Sequence, residues 1–555
     1  MSRKEQIKWN RLLGLFELER QDILRIFYYS LFAGAVSLSL PLGVQAIINL
    51  IQGAQVSTSW VVLMILVMIG LGFAGTLQIM QMRIIETMQQ RIFTRSSFEL
   101  SYRFPKIEMQ ALRQFYPPEL ANRFFDTITL QKGLSKILID VPAAVIQIVF
   151  AVILLSFYHP FFILFGLVLI TLMYFVFKFT VRRGLQTSLK ESKHKYRVAH
   201  WIQEVARSVV SFKISGNTSL ALKKNDNLVA DYLQAREAHF QIIKIQYLKM
   251  IAFKVIVTGG LLLIGGALVL NQQMNIGQFV ASEIIILLVI ASVEKLIVSL
   301  ETLYDMVTSL EKLGQVVDLE MESPQGKTPD FNQGMNIELK DVAYKVQDKE
   351  DPILENVQLK LRAKSRTLIR GASGSGKSSL LRIIAGVNKT TAGTVYINDQ
   401  NLKILNLNHY RSFLGLSLSE ERPFGGTLWE NITFGRQDVD EAYLNELLDL
   451  LELRSYLKSL PDGWETIINP EGRHFSYTTA KKIILLRALL KKPKVLLLED
   501  SLDQCSALET QKIIQYLCQS SHPWSIIVVS NNPIWEAYCD QVVELVDGTP
   551  KIITN

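Results

Sequence analysis

Cysteine is scarce in this chain of 555 residues, which contains only Cys505, Cys518 and Cys539. Their spacing fits no metal-ligand pattern, and three cysteines near one end of a chain make no disulfide framework. The first residues also lack an apolar segment followed by a small-residue cleavage site, so we expect no cleaved signal peptide. These absences argue against a disulfide-rich secreted protein and favour a reducing compartment for the second half of the chain.

A basic surface interleaved with aromatic residues, which nucleic-acid binding requires, is also missing. The formal net charge is nevertheless +8. Many of the basic residues flank long apolar runs, for example Arg83, Arg91, Arg95 and Arg103. Basic residues in such positions are typical of segments that face the cytoplasm beside anionic lipid. We therefore expect contact with membrane lipid and no nucleic-acid partner.

Long apolar runs are what the first half of the chain does contain, and hydrophobic residues make up 49% of the whole. About 20 apolar residues cross a bilayer as a helix. We predict six membrane helices, at 23–51, 60–82, 139–157, 161–178, 250–270 and 277–300. The short connections at 52–59, 158–160 and 271–277 contain no lysine or arginine, whereas the long ones at 83–138 and 179–249 are basic. Positive charge stays inside, so both termini of this multi-pass protein are expected in the cytoplasm.

The two long connections are polar and helical in pattern. Arms of this length would carry the helices about 35–40 Å beyond the membrane, as in an exporter rather than an importer. Within them, 117–128 and 204–215 are candidates for short coupling helices. Glu283 lies inside the sixth predicted crossing, where a charge is costly. It either lines a substrate path or pairs near the outer interface.

The strongest motif follows the apolar strand TLIR at 367–370. The sequence GASGSGKSS comes next and leads into the helical pattern SLLRIIAG, so a glycine loop joins a strand to a helix. In such a P-loop, glycines let backbone N–H groups converge on phosphate, lysine reaches the β- and γ-phosphates, and a serine hydroxyl binds Mg²⁺. The predicted phosphate-binding residues are Gly371, Ala372, Ser373, Gly374, Ser375, Gly376, Lys377, Ser378 and Ser379.

Further segments resemble the ATP-binding cassettes of ABC exporters. They are VNKTTAGTVYINDQ (387–400), GGTLWENITFG (425–435), the stretch 460–506 and CDQVVELVDGTP (539–550). The segment LSLPLGVQAIINLI (38–51) is similar to exporters that serve type I protein or bacteriocin secretion. The resemblance implies an all-α, six-helix membrane domain of the type I exporter class at 1–320. A linker at 321–334 and an α/β P-loop cassette at 335–555 would follow.

The resemblance also assigns roles, with ATP and Mg²⁺ as cofactors. Ser378 and Glu499 would bind Mg²⁺, while Glu499, Asp500 and Asn531 fall on the catalytic positions. The adenine-stacking aromatic falls on Val346, with Tyr344 nearby as a substitute. Several motif positions depart from the family: the Q-loop glutamine falls on Ser419, the signature on 475–479, the D-loop on 503–506 and the switch histidine on Asn531. The Walker B aspartate and the catalytic glutamate are exchanged at Glu499 and Asp500.

These departures predict that ATP binding survives while hydrolysis is poor. In the family each ATP lies between two subunits, so we expect a homodimer or a heterodimer with a second half-transporter. A bacterial inner membrane and a periplasmic adaptor protein fit this reading. Two functions remain open. The chain is an exporter subunit with weak hydrolysis of its own, or a non-hydrolytic ATP-binding scaffold or gate of a secretion or envelope complex.

Overall fold

The computed structural model describes residues 3–52, 58–346, 350–472 and 475–554. Their contacts form two compact units. The first comprises Met1–Pro105 and Phe115–Leu319, and the second comprises Lys106–Gln114 and Glu320–Asn555. Most of the predicted short connection at 52–59 lies outside the described residues.

The first unit is helical. Its helices are α1 (Arg3–Leu18), α2 (Arg20–Ser37), α3 (Ser39–Gln52), α4 (Thr58–Arg103), α6 (Pro117–Ala121), α7 (Asp126–Tyr158), α8 (Phe161–Arg207), α9 (Val209–Ile214), α10 (Leu220–Leu270) and α11 (Ile276–Val317). The short helix α5 (Met109–Leu112) belongs to the second unit. The lengths of α4, α8 and α10 are 46, 47 and 51 residues. Because a crossing needs only about 20 residues, the predicted helical extensions are confirmed.

Five helical stretches among the described residues are long and apolar enough to span a membrane. They are Arg20–Gln52, Thr58–Lys106, Pro117–Tyr158, Leu220–Leu270 and Ile276–Val317. The predicted crossing at 161–178 lies in α8, where Phe161–Thr171 forms a shorter apolar stretch and several later side chains fall outside the description. The chain is therefore a multi-pass membrane protein.

Helix α11 packs most deeply in this unit. Ala281, Ile285 and Val289 recur every four residues on one of its faces, and each is fully buried. Such spacing is the signature of a helix whose apolar stripe faces a core. Glu283 lies between them, half-buried, and it makes no ion pair with any residue that the structure describes.

The predicted coupling role of 117–128 stays a prediction. Residues 117–128 fold as α6, a 3₁₀ turn at Asn122–Phe125 and the start of α7, all in the membrane unit. The segment that packs with the cassette is Lys106–Gln114, which lies upstream. Its backbone pairs with the chain after α11, since the Glu108 N–H donates to the Glu320 carbonyl at 2.9 Å. This pairing involves residues more than 200 positions apart, so local sequence pattern could not locate it.

The described residues of the second unit form three sheets. Its strands are β1 (Ile337–Tyr344), β2 (Leu354–Leu361), β3 (Arg366–Arg370), β4 (Ala392–Ile397), β5 (Gln400–Asn401), β6 (Leu414–Ser417), β7 (Gly426–Thr427), β8 (Ile467–Ile468), β9 (Val495–Glu499), β10 (Ser525–Val529), β11 (Gln541–Val546) and β12 (Thr549–Thr554). Its helices after α5 are α12 (Lys377–Ile384), α13 (Leu407–Ser412), α14 (Leu428–Thr433), α15 (Glu441–Leu450), α16 (Arg454–Ser459), α17 (Tyr477–Leu490) and α18 (Ala507–Leu517).

The six-stranded sheet has the order β12-β11-β3-β10-β9-β6 and is parallel except at β12. A four-stranded sheet, β2-β1-β4-β5, is antiparallel. In the larger sheet Val529 pairs with both Ile369 and Glu499. The carboxyl ends of β3, β9 and β10 therefore meet at one edge, the usual ligand-binding edge of an open α/β sheet.

An ion-pair cluster in the membrane unit supplies a test of stability. The carboxylate of Glu19, which is 2% exposed, accepts from Arg91 at 3.0 Å and also pairs with Arg95. Replacing Glu19 by Gln leaves two arginines beside a neutral group, but both arginines are partly exposed. We expect Glu19→Gln to lower the free energy of unfolding by about 1–3 kcal/mol.

The thermal unfolding midpoint of the purified chain in lipid measures this effect. Glu17→Gln is the matched control, because Glu17 is exposed near the end of α1, two residues before Glu19, and forms no ion pair with the described residues. Equal midpoints for the two variants would contradict a stabilising role for the Glu19 cluster.

Candidate nucleotide-binding site

The loop after β3 has the backbone shape of a phosphate-binding loop. Gly371, Gly374 and Gly376 adopt φ values of +152°, +85° and +98°, which side chains rarely tolerate. At Gly376 a Cβ would lie 2.9 Å from the Ile353 carbonyl oxygen, and at Gly371 it would lie 2.4 Å from the Leu545 carbonyl oxygen. The glycine spacing of the sequence is therefore required by the fold itself.

The polar side chains of this loop surround the start of α12. Lys377 Nζ donates to the carbonyl oxygens of Gly371 at 2.8 Å and Ala372 at 2.7 Å. Ser375 Oγ is buried and has no hydrogen-bond partner in the part of the chain that the structure describes. Ala372 and Ser373 are exposed, while Ser378 and Ser379 are half-buried.

Glu499 joins this loop to the neighbouring strand. It is the last residue of β9 and is 3% exposed. Its Oε1 accepts a hydrogen bond from Ser378 Oγ, and its Oε2 accepts from the backbone N–H of Ser419 at 3.2 Å. The structure thus brings together the two residues that the sequence predicts to bind Mg²⁺, with the residue at the Q-loop position beside them.

Asp500 follows in a left-handed conformation with φ of +45°. Burial, together with the negative charges of Asp503 and Glu499, raises the pKa of its carboxyl to about 6, and Lys377 opposes the shift. Asn531 is exposed in the loop after β10, at the same sheet edge. The predicted catalytic residues therefore share one edge, but only Glu499 contacts the phosphate-binding loop directly.

Tyr344 belongs to the four-stranded sheet and not to the sheet edge that holds the glycine loop. It faces the core at the end of β1 with 4% exposure, and the Arg113 guanidinium lies over its ring at 5.0 Å from the centroid. The inward-facing positions of β1 shift by one residue between Leu339 and Val342, so that Val342 and Tyr344 face inward as Ile337 and Leu339 do. This arrangement leaves no open ring face for adenine, so the structure corrects the suggestion that Tyr344 replaces the stacking aromatic.

The predicted signature segment opens helix α17. Ser476 caps the helix, because its hydroxyl accepts from the Thr479 N–H at 3.0 Å. The Tyr477 ring is 38% exposed, and the Arg422 guanidinium lies 4.4 Å from its centroid. A large side chain therefore stands at the helix end that, in the family, approaches the partner's ATP without one.

Lys481 is a site residue that sequence reasoning missed. Its side chain lies in α17 with 2% exposure, and Nζ donates to the carbonyls of Leu418 at 2.7 Å and Ser419 at 2.6 Å. Burial is the main cause that lowers the pKa of its amine, followed by the charge of Arg422. Lys481 thus fixes the loop whose amide bonds Glu499. A lysine inside an apolar helical run was the only available signal.

The residues fit a nucleotide with Mg²⁺. The glycines leave backbone room for phosphate oxygens, the buried Ser375 hydroxyl lacks a partner among the described residues, and Lys377 lies at the loop. Ser378 and Glu499 would hold the metal, which when bound offsets the negative charge of the phosphates. Three or more clustered metal-binding side chains are not found among the described residues, as is usual for Mg²⁺, which keeps several of its waters and uses few protein ligands.

A helical membrane unit joined to a P-loop cassette defines the class of this protein. An ABC transporter family model matches residues 354–503, and a model of the ABC transporter transmembrane region matches 23–293. The chain is therefore an ABC transporter in which a transmembrane region and an ATP-binding cassette are fused.

Individual proteins resemble parts of the chain. The ABC multidrug transporter MDR2 of Trichophyton rubrum is 30% identical over 204 residues, which cover 36% of this chain and 15% of that protein. The Uncharacterized ABC transporter ATP-binding protein YfiB of Bacillus subtilis is 26% identical over 241 residues, covering 43% of this chain and 41% of that protein. The matched region thus spans less than half the length of these relatives. A bacterial Atm1-family ABC exporter solved with ATP bound has the same fold, with a TM-score of 0.82, 17% identity and coverage of 96% and 95% of the two chains.

The Asp500 carboxyl supplies a pH test. A base must be deprotonated, so with a pKa of about 6 any residual hydrolysis should fall as pH drops through 6, whereas an ordinary aspartate would stay ionised to about pH 4. Asp503→Asn removes a neighbouring negative charge and lowers the Asp500 pKa. The acid limb should then move to lower pH.

Single-turnover phosphate release between about pH 5 and 8 measures the acid limb in the unchanged chain and in the Asp503→Asn variant. Asp399→Asn is the control, since Asp399 lies exposed in a turn of the same unit. An acid limb that is identical in the Asp503→Asn variant and the unchanged chain would show that Asp500 is not the titrating group.

Proposed function

We propose that this chain is one half of an ABC exporter, which binds ATP and couples closure of the cassettes to export across the cytoplasmic membrane, with weak hydrolysis of its own. The observation that carries the proposal is the contact of Ser378 with Glu499 beneath an intact glycine loop. It keeps the phosphate-binding half of the site in order while the hydrolytic half is altered.

Three features support weak hydrolysis. Both oxygens of Glu499 already bond to protein groups, so a metal must compete with Ser378 and Ser419 for them. Asp500 is about one methylene shorter than a glutamate, and a displacement of about 1 Å from the attacking water can cost about a hundredfold in rate. Tyr477 also hinders close approach to phosphate on the opposite subunit.

A second subunit follows from the family's arrangement, in which each ATP lies between two chains. The short helix α9 supports this, because it exposes Val210 and Ile214 at 63% and 80%. Exposed apolar side chains on a cytoplasmic helix favour a protein partner. We propose a homodimer or a heterodimer with another half-transporter, in contact with membrane lipid.

The orientation of the chain in the membrane and the kind of exporter are also part of the proposal. Basic connections favour a bacterial inner membrane with both termini in the cytoplasm. The segment 38–51 favours protein or bacteriocin secretion with a periplasmic adaptor as a further partner. Glu283 supports a substrate route, because a carboxylate within a crossing that has no ion pair among the described residues is too costly to face lipid.

A non-hydrolytic scaffold or gate is the second candidate. The same observations favour it: an ordered glycine loop, an Asp500 carboxyl with raised pKa and Tyr477 at the signature helix. In this reading ATP is a regulatory ligand, and the chain anchors a secretion or envelope assembly without pumping.

Mg-ATP binding and turnover by the purified chain in lipid test the proposal. We expect ATP binding that Lys377→Ala weakens at least about tenfold, since the lysine is the main charged phosphate contact. Turnover of the unchanged chain should be close to that of Lys377→Ala. Lys364→Ala, an exposed lysine of the same unit, is the control and should bind ATP normally.

A variant in which the family's residues are restored tests whether the altered motifs cause the weak hydrolysis. Glu499→Asp with Asp500→Glu, combined with Tyr477→Gly and Thr478→Gly, should raise turnover well above the Lys377→Ala level. Turnover already high in the unchanged chain would mean that the exchanged carboxylates function. Absence of ATP binding by the unchanged chain would overturn both candidate functions.

A further inference from the structure

The cassette unit contains a second cavity suited to a small polar ligand. Its volume is 440 Å³, and its lining includes Arg113, Tyr344, Lys345, Lys389 and Thr390. All of these residues belong to the same compact unit. They come from the segment Lys106–Gln114, the end of β1 and the loop that follows α12, not from the glycine loop. Volumes of about 300–1,000 Å³ are typical of small-molecule sites.

Positive charge at this cavity is incompletely balanced. Lys389 pairs with Glu108, but Arg113 and Lys345 have no acidic partner among the residues that the structure describes. Partial burial lowers the pKa of the Arg113 guanidinium, and the charge of Arg382, which itself pairs with Glu420 outside the lining, adds to this shift. Cations that crowd one another in this way are stabilised by a bound anion.

An unsatisfied donor lies at the same place. Tyr344 is 4% exposed, and its hydroxyl is buried without a hydrogen-bond partner among the described residues. The Arg113 guanidinium lies over the ring of this tyrosine at 5.0 Å. Buried hydroxyls are normally paired with protein, water or ligand. A ligand with several acceptor oxygens would balance the charges of Arg113 and Lys345 beside this tyrosine.

We propose that this cavity binds a soluble phosphate-bearing anion, such as pyrophosphate or the phosphate tail of a small metabolite. Phosphate oxygens accept charge-assisted hydrogen bonds from guanidinium and ammonium groups, which are stronger than neutral ones. The bound anion bridges Arg113 of the Lys106–Gln114 segment and Lys345 at the end of β1. It thereby fastens this segment to the strands of the cassette unit. The site goes beyond the proposed function and is independent of ATP binding at the glycine loop.

Pyrophosphate titration of the full chain, in nanodiscs of phosphatidylcholine, tests the proposal. Every protein carries Lys377→Ala, so that the glycine loop binds the probe weakly. We expect saturable binding by calorimetry, and Arg113→Gln or Lys345→Gln should weaken it at least tenfold. Arg113→Lys should retain most of the affinity. Lys403→Gln is the control, because Lys403 is an exposed lysine of the same unit that does not line this cavity.

Thermal unfolding without pyrophosphate checks that each variant is folded. The proposal is overturned if Lys377→Ala alone abolishes pyrophosphate binding, or if a folded Arg113→Gln variant binds as tightly as its parent. Nanodiscs that contain phosphatidylglycerol distinguish the source of the phosphate. Unchanged binding in them supports a soluble ligand, and displacement of pyrophosphate would assign the cavity to a lipid headgroup instead.

Discussion

The buried carboxylate of Glu499 is the interaction on which the order of the cassette site depends. Glu499 is the last residue of β9. Its carboxylate accepts hydrogen bonds from the Ser378 hydroxyl at the start of α12 and from the backbone N–H of Ser419 after β6. Lys481 fixes that last loop from the side of α17. A buried carboxylate is tolerated only when hydrogen bonds or a cation compensate it. Three separate elements are therefore held in register by one side chain.

The sequence was sufficient for the elements whose signals are local. The glycine spacing predicted the loop at 371–376, where Gly371, Gly374 and Gly376 have φ values above zero. Apolar runs with basic flanks predicted the five described stretches that are long and apolar enough to span a membrane. Tyr344 was misjudged, because two residues on one strand face need not share the same depth in the protein. The segment 106–114 and Lys481 were missed because their contacts involve residues far apart in the chain.

The departures from the family's motifs that the sequence predicts fall mainly at positions expected to place water and to face the opposing subunit. The predicted phosphate-binding loop matches the P-loop pattern. Lys481 and the Tyr477–Arg422 contact occupy part of that altered region. The loop near Glu499 takes its hydrogen bonds from protein groups, because Ser419 bonds to both Glu499 and Lys481.

The stiffness of helix α10 differs along its length. Residues 220–249 contain neither glycine nor proline, so this stretch is a stiff rod of about 45 Å. A tilt of about 5° at one end of such a rod displaces the other end by about 4 Å. Gly259 and Gly260 follow in the apolar part, with nothing within 4 Å of the space a Cβ would fill. Bending should thus concentrate in the apolar part of the helix, within the bilayer. Residues 220–249 should act as a lever that moves as one piece.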